Sequence, residues 1–86
     1  MNNIVVEIPL PDGSMSMFIG REVGRDADRI TITDAAWVAA TGRRHVFFAG
    51  GPAEEVEPYP DGTALSLPLL GAVLTTWPHP LIRVPR

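Results

Sequence analysis

The chain has 86 residues, no cysteine and a formal net charge of -3, with a pI near 5.1. That length suits one compact domain with a small core, marginal in stability unless copies associate, and the missing cysteines exclude disulfides and thiolate zinc sites as staples. The acidic balance argues against broad DNA binding, which draws its affinity from neutralising many phosphates; a local basic patch stays open.

The start, "MNNIVVEIPLPDG", carries no basic leader, and Glu7 and Pro9 break its apolar run. Neither a signal peptide nor a membrane span is expected, and a soluble cytoplasmic protein is the default. From Asn3 to Ile8, Ile4, Val6 and Ile8 fall on one face and Val5 and Glu7 on the other, which is strand periodicity. "PLPDG" stops it: two prolines remove donors and Asp12-Gly13 is a favoured turn pair. The chain should reverse into a second strand, Ser14 to Val23, where Met15, Met17 and Ile19 alternate with Ser14, Ser16 and Phe18. Gly20 is the place for a bulge or bend.

"GRDADR" reads as the next turn, and Ile30 and Ile32 then alternate with Thr31 and Thr33 in a third strand. Alanines 35, 36, 39 and 40 offer a short helix capped by Asp34, but Gly42 leaves it scarcely two turns, so strand is expected to about Trp37. "RRHVFFAGG" is a fourth apolar segment ended by paired glycines. "PAEEVEP" allows one helical turn with Pro52 first and acids near its start, and "YPDG", Tyr59 to Gly62, makes another turn. The last third alternates Leu65, Leu67 and Leu69, then Val73, Thr75 and Trp77, then Ile82 and Val84. Pro68, Pro78, Pro80 and Pro85 exclude a long helix there and suit edge or irregular strands. No repeat or linker interrupts the chain, so residues 1–86 are expected to form a single all-β domain of about five to seven short strands with at most one helical turn.

With "IVVEIPL", Asp12-Gly13, Gly20, "RDAD" and "ITITDA" ending at Asp34-Ala35, the stretch from Ile4 to Ala35 resembles the first half of an Sm-like domain. Such domains are strongly bent five-stranded barrels, related in shape to SH3 barrels. The resemblance covers roughly a third of the chain and implies a small SH3-like or Sm-like barrel. RNA-binding members carry an asparagine after the acidic turn and an Arg-Gly pair in the last hairpin. This chain has Arg29 and "LIRVP" near those places, so RNA binding of that kind ranks only as a second alternative. The size, the short strands and "TDAAW" also resemble small bacteriophage-encoded proteins. Some oligomeric phage proteins of this size sequester nucleotide signals of host defence, which would place this chain in the host cytoplasm.

Signatures of catalysis are missing: there is no Gly-x-Ser-x-Gly elbow, no phosphate loop and no His-Glu-x-x-His. No enzyme and no cofactor are therefore expected. His45 and His79 sit on separate segments with no metal-ligand spacing, and Glu54, Glu55 and Glu57 are explained by solubility and helix-start preference. The compact cationic cluster is "GRRH". Arg43, Arg44 and His45, with Trp37 upstream and "VFF" downstream, could hold a phosphate and stack a base. A solvated turn is the other explanation, and an all-arginine cation set also follows from GC-rich coding. Ala49 to Pro52, "AGGP", is either an anion nest or a hairpin corner. Trp77 is either core or a subunit contact, since Phe18, Phe47, Phe48, Tyr59 and two tryptophans crowd so small a core. Met15 and Met17 are expected in core or subunit contacts.

These readings add up to a non-enzymatic, self-associating binding module that recognises an anionic small molecule or nucleotide at a subunit boundary. The alternative is a phage virion subunit acting through protein–protein contacts.

Overall fold

Alternation in the first half of the chain builds three antiparallel strands in the computed structural model, which describes residues 2–86. They are β1 (Asn3–Pro9), β2 (Met15–Arg25) and β3 (Arg29–Ala40). Gly13, at φ +89°, makes the first reversal, closed by the Leu10 N–H on the Ser14 carbonyl at 2.8 Å. At the second, the Asp26 carboxylate accepts the N–H groups of Asp28 and Arg29, each at 2.8 Å, and these bonds lower its pKa. Charge on the acid strengthens such turn bonds.

The remaining elements are α1 (Arg44–Phe48), β4 (Glu55–Pro58), β5 (Ala64–Pro68) and β6 (Val73–Thr76). The sheet runs β4-β3-β2-β1-β6. β4 pairs the second half of β3 and β5 the first half, both on the edge that β2 leaves open. All pairs are antiparallel, and the all-β expectation holds. Among the described residues no pairing joins β6 to β4 or β5, so the sheet is open.

Both faces of the sheet are covered. Val5, Met17, Ile19, Ala36 and Val38 lie under Phe47 of α1, Ala53, Val56 and Trp77. Ile4 and Val6 pack on the opposite face with Ile30, Ile32, Ala35 and Leu67. Even-numbered residues of β3 thus serve one face before Asp34 and the other face after it. Side chains alternate strictly along a regular strand, so a break in the backbone must lie between. It lies at Asp34, whose φ of +50° is in the left-handed region that aspartate enters more readily than most side chains, opposite a register shift between Ile19 and Arg21. Arg21 and Asp34 form an ion pair across it. Gly20 faces this bulge, where a Cβ would meet Ile32 Cδ1 at 2.9 Å and the Thr33 carbonyl at 3.0 Å.

Three expectations are corrected. "RRHVFFAGG" is not a further strand: its first half winds into α1, and Gly50 at φ +101° ends the turn. "PAEEVEP" is not helical, because Val56 is buried and pairs with Val38 as part of β4. Ile82 and Val84 form no sixth or seventh alternating strand, since Pro78, Pro80 and Pro85 remove the donors a ladder needs. Residues 77–86 instead make an irregular strap. Trp77 donates its backbone N–H to Asn3 (3.0 Å) and its indole N–H to the Pro80 carbonyl (3.1 Å). Arg83 donates to the carbonyls of Ala35 (3.1 Å) and Tyr59 (2.9 Å), and Arg86 exchanges two 2.9 Å backbone bonds with Val56. The radius of gyration is 12.1 Å, close to the ~12 Å of a compact chain this long. No described helix is long and apolar enough to cross a membrane.

Candidate anion-binding cleft

Arg43 and Arg44, adjacent in sequence, are separated by the first turn of α1. Arg44 points back across the sheet face, where its guanidinium bonds both carboxylate oxygens of Glu7, at 2.9 and 3.2 Å, and lies 5.1 Å from the centre of the Phe48 ring. Glu7 is only 7% exposed. Such a carboxylate needs a partner, and the hydrogen bonds it accepts raise the pKa of Arg44 above its usual value. Arg43, with extended backbone just before the helix, makes no side-chain capping bond and turns outward.

The outward turn brings Arg43 to a cleft of about 270 Å³ between the Thr41–Arg43 turn, Val46 of α1, the Pro52–Glu54 segment and Arg86. Gly42, at φ +71°, shapes one wall; a Cβ there would lie 3.5 Å from the Glu54 carboxylate. The Glu54 N–H is tied to the Ala40 carbonyl at 3.0 Å, and Val46 and Pro52 make the wall partly apolar. Arg86 is held in place by its backbone bonds to Val56 while its side chain stays exposed.

Elsewhere the arginines are engaged. Arg21, Arg25, Arg44 and Arg83 bond carboxylates, and Arg29 bonds the Ser66 hydroxyl at 2.7 Å and carbonyl at 2.8 Å. Among the described residues, Arg43 and Arg86 are the arginines whose guanidinium groups find no such partner, and both line the same cleft. Arg43 and Arg86 thus line the cleft together with the Glu54 carboxylate.

The other expected site residues lie elsewhere. His45 is exposed on α1 and belongs to no metal-binding group among the described residues. Trp37 is 42% exposed, but its neighbours Ala36 and Val38 face α1, so Trp37 points to the opposite face and cannot stack beside Arg43. The "AGGP" nest is occupied by its own helix, because the Gly50 and Gly51 N–H groups bond the Phe47 and Val46 carbonyls at 3.0 and 2.9 Å. His79 packs on Gly50 and bonds the Phe48 carbonyl through Nε2 at 2.9 Å. Trp77 is core, 4% exposed and 5.0 Å from Phe47 between ring centres. Arg86 is the cleft residue that sequence reasoning missed; half the chain separates it from Arg43, and no local pattern marks it. No protein-family model, curated protein or solved structure matches this chain, so the chemistry of the cleft is read from its own residues.

Proposed function

We propose that the protein is a non-enzymatic binding module that holds a small anion, of the size of a nucleotide phosphate, in the Arg43–Arg86 cleft. The observation that carries this reading is that Arg43 and Arg86, the arginines without a side-chain partner among the described residues, line one cavity, while the other arginines are engaged in holding the fold. Charge-assisted contacts from a forked cation suit phosphate, and the Val46–Pro52 wall suits an apolar portion of the ligand. Both cations come from one chain, so the site does not depend on a subunit boundary. Sequestering a nucleotide signal of host defence, in the cytoplasm of a phage-infected host, is the role this chemistry would serve.

The test is a thermal-shift and calorimetric screen with inorganic phosphate and mono-, di- and cyclic nucleotides. At least one is expected to stabilise the wild type, and Arg43→Ala or Arg86→Ala each to weaken it by about tenfold or more, at about 1.5 kcal/mol or above per charged contact. Equal responses in wild type and both variants would remove the cleft from consideration. A virion subunit is the second reading, favoured by Leu70, 91% exposed, and the exposed Val73 beside it. RNA recognition through Arg29 finds no support, since that side chain is spent on Ser66. We also propose that the sheet is an opened form of the small SH3-like and Sm-like barrels, a kinship supported by the bulges at Gly20 and Asp34.

A further inference from the structure

A strand at the rim of a sheet presents unpaired N–H and C=O groups, and folded proteins blunt such rims with charge, proline or a covering segment. Two of the three rims here are treated that way. β4 carries Glu55, Glu57 and Pro58, and its outward bonds at Val56 are taken by Arg86. β5 ends in Pro68, and the Leu69 N–H on the Asp28 carbonyl sets a register that turns Ser66 outward, where Arg29 caps its carbonyl at 2.8 Å.

β6 has none of these devices. Its sequence is Val-Leu-Thr-Thr, and from Gly62 to Pro78 the chain carries no charged residue. The Trp77 N–H donates to Asn3, and with the β1 register this directs the amides of Val73, Thr75 and Trp77 toward β1. Leu74 and Thr76 therefore present their N–H and C=O groups outward, with no partner among the described residues.

We infer that this edge pairs with β6 of a second copy of the chain, antiparallel, about a two-fold axis at Thr75. The backbone selects that register. Centring the axis on Leu74 would call on the Ala72 N–H, already bonded to Leu69 at 3.0 Å. Centring it on Thr76 would call on Pro78, which has no N–H. Centred on Thr75, Leu74 of each copy exchanges both of its bonds with Thr76 of the other, and every free donor is used. A second copy, rather than a charged peptide, fits the uncharged rim. In an acidic chain of net charge -3, a two-fold contact sets the side chain on its axis against its own duplicate, and like charges placed there repel. Thr75 faces Thr75, a favourable cross-strand pair.

The experiment is light scattering coupled to gel filtration, with two variants. Wild type is expected at twice the chain mass of 9.3 kDa. Thr76→Pro, which removes an outward N–H and leaves the β1 ladder intact, is expected at the monomer mass with an unchanged far-ultraviolet spectrum. Thr75→Cys tests the register in a chain with no other cysteine. Facing residues in this kind of pair lie with Cα atoms about 4.5 Å apart, within the roughly 4.4–6.8 Å a disulfide spans. With oxidised glutathione taking up the two electrons, Thr75→Cys is expected to cross-link at least tenfold faster than Val84→Cys, an exposed control. A monomeric wild type, an assembly larger than a dimer, or equal cross-linking of the two cysteine variants would overturn the proposal. If Thr76→Pro fails to fold, the cross-linking comparison alone decides it.

Discussion

Arg44 reaches from α1 to the sheet, where its guanidinium holds a carboxylate almost out of contact with water. Its own side chain is 59% exposed, so the pair is screened on one side, and its Coulomb attraction is a small part of its worth. The larger effect is what Glu7 loses if the partner goes: a buried acid without its bonds costs about 1–3 kcal/mol. Arg44→Ala is therefore expected to lower stability by about 2 kcal/mol, a fall of about 8–16 °C in Tm for a domain this small. Arg43→Ala should change stability by no more than about 0.5 kcal/mol. Urea and thermal unfolding of the two variants side by side check this, and equal losses would refute the division of labour. Sequence alone marks "GRRH" as the cationic cluster but cannot divide it. Which arginine turns inward depends on where α1 begins and on Glu7, a residue far back in the chain.

At the scale of elements, the bulge between β2 and β3 lets one hairpin serve two opposite faces, and its geometry leaves Gly20 no room for a side chain. Gly24, farther along β2, has nothing within 4 Å of a Cβ position. Gly20→Ala should force Ile32 or the backbone aside at a cost of about 1–3 kcal/mol. Gly24→Ala should be neutral or stabilise by up to about 1 kcal/mol, since it restricts only the unfolded chain. Chemical denaturation midpoints of the pair provide the check. This hairpin was the legible part of the fold, because period-two alternation, Asp12-Gly13 and the bend glycine are all local signals. α1 was not legible: five residues are too few for helical periodicity, and such a helix persists only because Phe47 is buried. β4 was hidden for the complementary reason, since acids at Glu55 and Glu57 suggest a helix start until β3 supplies a ladder.

At the scale of the molecule, the two ends of the chain are fastened to its middle. β6 and the strap close over β1, and Arg83 and Arg86 draw the last residues against Ala35, Tyr59 and Val56. The cleft exists only after that closure, because one of its arginines arrives with the strap. The cleft was illegible for this reason: its two cations come from opposite halves of the chain.

The contrast between the tryptophans then has a use in folding kinetics. Trp77 stands where the chain's most distant segments meet, beside Phe47 and next to the bond to Asn3, whereas Trp37 stays partly exposed on the other face. Contacts of such long sequence separation form late and set the folding speed. Trp37→Phe should keep most of the change in intrinsic fluorescence on refolding, with the wild-type rate, as stopped-flow mixing would show. Trp77 emission would then be a clock for the moment the cleft comes into existence, and any ligand of the cleft added during refolding should bind in step with that signal and not ahead of it.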